Sequence, residues 1–267
     1  MNRMQSIAVV SGLLFSMTAG AQEKESRNLE PLPRDLEIQL ALSALPPYLR
    51  DSATVYVLNP STGFEVGRKG SNGFHAFVAR TGDDTFRGDW PLTAYRDDIL
   101  YPIAFDEAGV EAQMRVFFDA AEMQADGVAA SELKKIMSDR LRNGYYPAPE
   151  RGGIAYMLSP VLRTYNNPEE TDTVTTVDFP HIMYYAPNVT NEDIAATRGN
   201  PGPFVILPGQ HGYIIQFVGK SETAEITESY APMLERLCGM KEEWCLTNVE
   251  PRRSLLGSID ERSQALT

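Results

Sequence analysis

The chain has 267 residues, of which 36 are acidic and 24 are Lys or Arg, for a net charge of −12. Nucleic acid and anionic membrane surfaces are drawn by a positive field, so this balance argues against both as partners. Neither a long Gly/Ser linker nor a charge block divides the middle, and the expected layout is one domain over residues 35–245.

The first 21 residues, MNRMQSIAVVSGLLFSMTAGA, carry the layout of a secretory signal. Arg3 supplies the positive start, an apolar run follows from Ile7 to Phe15, and Ala19-Gly20-Ala21 is a small-x-small cleavage pattern. The run is shorter than the roughly 20 residues a transmembrane helix needs. No later segment is apolar enough to span a bilayer. The expectation is a periplasmic or secreted protein cut after Ala21, with a flexible stretch over 22–34 and a polar tail over 246–267.

A first helix is expected over Leu36–Leu45, with Ile38, Ala41, Leu42 and Leu45 at 3–4 residue spacing and Pro46-Pro47 as its stop. Then the period shortens. TVYVL (54–58), FEVGR (64–68) and FHAFVAR (74–80) read as a three-stranded meander, separated by turn-forming stretches that include Asn72-Gly73. Residues 81–105 show no sustained period and read as a long connection or strap. Two helices follow. Asp106 caps the first, which carries the stripe Val110, Met114, Phe117, Phe118 and Ala121 and ends at Gly127. The second spans Ala130–Asn143, with Leu133, Ile136, Met137 and Leu141 inward and Gly144 past its end.

Strand character returns in IAYMLS (154–159), VTTV (174–177), HIMYYAP (181–187), FVIL (204–207) and HGYIIQFV (211–218), before a helix around 223–240. The order strands–helices–strands predicts an α+β fold: an antiparallel sheet built from the meander and the later strands, with two or three helices on one face. Cys238 and Cys245 are the only cysteines; in an oxidising compartment they read as one local disulfide.

Side chains alternate along a strand, so His181, Met183 and Tyr185 share one face, as do His211, Tyr213, Ile215 and Phe217. Both histidines open a strand in line with a tyrosine. Were the strands to gather both imidazoles at one sheet end, they would suit proton transfer or metal binding near neutral pH. Tyr156 and Tyr213 would orient a polar ligand there, and Arg80 would offer a guanidinium fork to an anion, unless it pairs with Asp83 or Asp84. For each histidine the competing reading is a strand-end residue satisfied by one backbone carbonyl. His75 would complete a three-histidine metal site with the other two, although no close-spaced ligand motif joins the three.

HExxH, Gly-x-Ser-x-Gly, P-loop and GxGxxG motifs are all missing, and the sequence assigns no cofactor. The expectation is therefore a pocket for a small polar or anionic molecule near His181 and His211. Behind it stand a metal-assisted or acid–base enzyme on the same histidines, and an envelope interaction module using YYPAP (145–149) and the 81–105 strap.

The stretches GSNGFHAFVAR, GGIAYMLSP, PHIMYYAP and HGYIIQF give residues 36–218 a further reading. Over that range the chain resembles a group of exported bacterial proteins with no assigned activity. The resemblance implies one exported domain, with the segments around His181 and His211 among its distinguishing parts. It transfers no reaction or cofactor, and it implies that position 75 need not be histidine.

Overall fold

A computed structural model describes residues 29–80, 94–165, 173–196 and 202–246. The expected signal peptide, most of the 22–34 stretch, nearly all of the C-terminal tail, and residues 81–93 of the strap lie outside those residues. At the described end of the 22–34 stretch, Leu29 and Leu32 are buried, so that part is packed against the core.

Helix α1 (Arg34–Ser43) buries Leu36, Leu40 and Ala41 completely. It starts two residues before the expected Leu36. Ala44 and Leu45 close with bonds to the carbonyls of Ala41 and Leu42, at 3.2 and 3.1 Å. That tightened last turn satisfies carbonyls which Pro46 and Pro47, lacking N–H groups, cannot serve. A single turn, α2 (Pro47–Arg50), leads into β1 (Thr54–Asn59) and β2 (Gly63–Arg68), an antiparallel hairpin. The expected turn forms at Asn59–Gly63, where Asn59 accepts from Ser61 N through Oδ1 and Gly63 holds φ at 89°.

β3 (His75–Ala79) does not pair with β2. It crosses to the other side of β1 and runs parallel to it, with Thr54 opposite His75 and Val55 opposite Ala76. Local turn chemistry explains the crossing. Asn72-Gly73 is used to dock the connection rather than close a hairpin: Ser52 O accepts from Ser71 N and Asn72 N, and Asn72 Nδ2 donates to Leu49 O at 2.8 Å. Gly70 permits the pass, because a Cβ there would lie 2.2–2.4 Å from the backbone of Ser52–Thr54.

β4 (Tyr101–Phe105) then pairs antiparallel with β3. This strand was hidden in the sequence by Pro102. The N–H groups of Leu100 and Asp106, on the same edge, donate to Arg163 O and Ile154 O. Pro102 falls between them, at the gap where the neighbouring chain leaves one strand and has not begun the next, so no donor is lost. β5 (Ile154–Met157), β8 (His181–Tyr185), β10 (Tyr213–Phe217) and β9 (Phe204–Ile206) complete an eight-stranded sheet in the order β2-β1-β3-β4-β5-β8-β10-β9. Apart from the short β1–β3 contact, every pairing is antiparallel. A separate two-stranded ribbon joins β6 (Leu162–Tyr165) to β7 (Val174–Val177). The fold is mixed α+β, as expected.

Helices lie on both faces of the sheet. After the turn α3 (Glu107–Gly109), capped by Asp106, and a π-helical turn at Val110–Met114, helix α4 (Arg115–Ala125) packs Phe117 and Phe118 onto Phe77, as the apolar stripe required. Helix α5 (Ala130–Arg142) buries Leu133 and Met137 beside it. The opposite face carries α1 and, after helix α6 (Lys220–Ser229), helix α7 (Ala231–Met240), whose Met233 and Leu237 join Leu36, Leu40, Val55 and Val78 in one cluster. The expected single helix over 223–240 is two, broken at Tyr230 with Pro232 in the first turn of the second. Cys238 and Cys245 form the expected disulfide, closing α7 onto the 3₁₀ turn Glu242–Trp244. No helix among the described residues is long and apolar enough to cross a membrane.

Candidate functional site

The two histidines ranked first by the sequence do not meet. β8 and β10 are neighbours, but they run antiparallel with His181 opposite Phe217 and Tyr185 opposite Tyr213. His211 precedes Tyr213, so six residues of chain, about 20 Å, separate it from the level of His181. The expectation of a shared hollow is corrected by strand direction: His181 opens β8, His211 lies in the turn two residues before β10, and antiparallel strands begin at opposite ends.

Their surroundings also differ from those of a working pair. His181 Nδ1 lies 2.7 Å from Phe179 O, and its ring is enclosed by Phe179 and Phe217 at centroid distances of 5.2 and 6.2 Å. Burial holds its pKa down to about 4, against the pull of that carbonyl, so the ring is neutral at neutral pH. His211 sits against the backbone of Tyr146, and burial again lowers its pKa. Tyr213 is buried on the same face as His181, at the far end of β10.

Arg80 and Tyr156 lie on the other face. Arg80 is 2 % exposed, donates through Nη2 to Asp97 O at 2.8 Å, and lies 5.5 Å from the Trp244 ring centroid. It is a core residue and presents no fork to solvent. Next to it, Asp98 accepts from Arg96 and Arg163. Burial alone would raise the Asp98 pKa, but the two guanidinium partners hold it at about 2. This polar core was not legible in the sequence, where the Asp97-Asp98 pair reads like other paired acids. His75, on β3, is separate again, so the three-histidine metal site is also corrected. Among the described residues no group of three or more His, Cys, Asp or Glu side chains is placed to hold a metal ion.

Of the expected ligand contacts, Tyr156 keeps a suggestive setting. Ile154 and Tyr156 on β5 share a face with Ile182 and Tyr184 on β8, where Ile154 pairs with Tyr184 and Tyr156 with Ile182. Helices α1 and α7 cover β1, β3 and β4 on this side, whereas Ile182 and Ile214 stay half-buried and Tyr184 is 43 % exposed. Tyr48, at the start of α2, is 79 % exposed. Its phenol is a neighbour of that of Tyr156, which packs against Phe74 at 5.8 Å. Burial first, and then the neighbouring Tyr48, Tyr184 and Asp106, pushes the Tyr156 hydroxyl up to about 12. It therefore stays protonated and can both donate and accept. The arrangement is a shallow aromatic platform with hydroxyl groups at its floor and rim. The sequence held a signal for it: the even-numbered positions of 154–156 and 182–184 form a second, half-apolar face.

No family description, no curated protein and no solved structure matches the chain, and the resemblance to exported bacterial proteins gains no support from these comparisons.

Proposed function

We propose that the chain is an exported binding module whose contact surface is the tyrosine platform around Tyr156, taking an uncharged sugar-like ring. One observation carries the reading: two exposed tyrosines, Tyr48 and Tyr184, flank the buried Tyr156 hydroxyl on the half of the sheet that α1 and α7 leave bare. Tyrosine combines a broad apolar ring with a polar tip, which suits a partner with an apolar face and a hydroxylated edge. Tyr48, Phe74, Ile154, Tyr156, Ile182 and Tyr184 are all uncharged, and the chain carries a net charge of −12, so nothing in this patch favours an anion. The disulfide and the signal-like N-terminus support export.

Calorimetric titration with soluble neutral oligosaccharides tests the proposal. Removal of each exposed ring, in Tyr48→Ala and Tyr184→Ala, costs about 1 kcal/mol, or roughly fivefold in affinity. Tyr156→Phe, which keeps the ring and deletes the hydroxyl, weakens binding by a similar factor. Absence of binding to the parent protein, or equal affinity in the double variant, ends this reading.

A further inference from the structure

We infer that Asn143 is a modification site. Its side-chain amide is lost to water through a cyclic imide closed by Gly144 N, which leaves an isoaspartyl or aspartyl residue at the end of helix α5, and the isoaspartyl form opens the clasp that ends this helix. The inference does not rest on the tyrosine platform.

Asn-Gly is the pairing in which this ring closes with least hindrance, because glycine has no Cβ to obstruct the approach of its own nitrogen to the preceding side chain. The chain holds two such pairs, Asn72-Gly73 and Asn143-Gly144. Water is the only co-reactant. Gly144 N gives its proton to base and forms a bond to Asn143 Cγ. The Cγ–Nδ2 bond breaks, and Nδ2 leaves as ammonia, taking a proton back from water. A water molecule then opens the imide. Cleavage between Gly144 N and Cγ yields aspartate, whereas cleavage between Gly144 N and the Asn143 backbone carbon yields isoaspartate, whose main chain runs through Cγ.

The fold separates the two pairs. Asn72 is half-buried, and its amide is held at both ends: Nδ2 donates to Leu49 O at 2.8 Å and Oδ1 accepts from Phe74 N at 3.1 Å. Turning that side chain onto Gly73 N breaks both bonds. Asn143 and Gly144 are exposed, and nothing lies within 4 Å of the place a Gly144 Cβ would occupy. Asn143 stands where α5 ends, with φ −91° and ψ 6°, and Gly144 follows at φ 67°. To reach Cγ, Gly144 N gives up its 3.2 Å bond to Leu141 O, which lies in the last turn, where a helix frays first.

The product acts on the closure of α5. Beside the Gly144 N bond, Tyr145 N donates to Arg140 O at 2.9 Å, and the Arg140 guanidinium lies 4.7 Å from the Tyr145 ring centroid. These two bonds form the paired clasp that ends many helices at a glycine. Isoaspartate inserts one methylene into the main chain just before both donors, so they no longer meet their carbonyls in register. Either product also places a carboxylate at the helix C-terminus, the negative end of its dipole.

Peptide mapping by mass spectrometry of the parent protein, held folded at mildly alkaline pH, tests this, with a urea-unfolded sample as the clock. The peptide that carries Asn143 should gain about one dalton roughly tenfold faster than the peptide that carries Asn72, because two hydrogen bonds hold the second amide. In urea, where both constraints are gone, the two sites should react at similar rates. The modified chain carries an extra negative charge and separates by anion exchange, and in its isoaspartyl form the Tyr145 amide should exchange with solvent faster than in the parent. Asn143→Asp, which adds the charge without the methylene, should keep Tyr145 protected. An Asn143 peptide unchanged over the time in which its urea control reacts, equal rates at Asn72 and Asn143 in the folded protein, or a Tyr145 amide as protected in the isoaspartyl form as in the parent would each overturn the assignment.

Discussion

Trp244 Nε1 donates to Asp98 O at 2.8 Å, joining the C-terminal 3₁₀ turn to the segment that leads into β4. The indole is almost fully buried, with Arg80 over its ring at 5.5 Å and Lys241 at 5.4 Å. The disulfide of Cys238 and Cys245 closes the short loop that carries this side chain. Reduction, or Cys245→Ser, should therefore cost up to roughly 3 kcal/mol through the freed loop. It should also release Trp244, seen as a red shift and increased quenching of tryptophan fluorescence before global unfolding. If the emission is unchanged by reductant, the disulfide does not hold the indole in place.

Asp98 is the charge on which this core turns, since Arg96 and Arg163 both bond to its carboxylate. Removing the acid leaves Arg163 buried without its partner, and Asp98→Asn should cost about 3–5 kcal/mol. Linkage gives an independent check. The folded pKa of about 2 lies below the unfolded value of 3.8, so the contribution is complete above pH 3.8 and is lost as pH falls through 2. Urea midpoints of the parent protein between pH 2 and 5 should show an acid-side loss of about 2 kcal/mol that Asp98→Asn lacks.

Two buried groups pull stability in opposite directions between pH 4.5 and 6.5. Burial depresses His181 from 6.5 to about 4. Its contribution is full above pH 6.5 and is lost progressively as pH falls to 4. Burial raises Glu37 from 4.5 to about 7, even though its carboxylate accepts from Leu58 N at 2.7 Å. Glu37 therefore favours the folded state fully below pH 4.5 and loses that contribution as pH rises through 7. The parent protein should show a shallow profile across this window. In His181→Asn, whose amide can still donate to Phe179 O, stability should increase as pH is lowered from 7 to 4.5. In Glu37→Gln it should decrease over the same range. Chemical denaturation of both variants separates the two terms, and parallel profiles would show that neither group titrates as its burial implies.

The contrast between His181 and Asn72 shows which parts of this molecule could be read from its sequence. Local chemistry was legible. The Asp106 cap, the Gly127 and Gly144 stops, the Asn59–Gly63 turn and the disulfide all depend on residues close together in the chain. Strand direction and neighbour choice were not. Asn72-Gly73 forms its turn as expected, but the partners are Ser52 and Leu49, so β3 lands beside β1. The same gap misplaced the site. Alternation correctly put His181 and Tyr185 on one face, yet only the ladder shows that His211 lies at the other end. Tyr48 could not be joined to Tyr156 at all, because 108 residues separate them and one of the pair sits on a helical turn.

Among the described residues β9 is the last strand of the large sheet, and Asn191 bonds the side of its backbone that faces away from β10. Asn191 Oδ1 accepts from Val205 N at 2.7 Å, and its Nδ2 donates to Val205 O at 3.3 Å, so one side-chain amide takes the place of a neighbouring strand. Such a cover matters because an unpaired edge is a template for pairing with a second chain. Asn191→Ala should leave the Val205 amide open to water and speed its hydrogen exchange by about fivefold, for a lost contribution near 1 kcal/mol. Asn191→Asp keeps the acceptor for Val205 N but removes the donor to Val205 O, and should fall between the two. Both variants should retain the parent circular dichroism, since β9 is three residues long and its pairing with β10 is untouched. Concentration-dependent self-association of Asn191→Ala, measured by sedimentation at neutral pH, is the expected consequence at high protein concentration, moderated by the net charge of −12. Protection of Val205 equal to that of the parent would mean that the chain beyond Asn191, and not its amide, shields this edge.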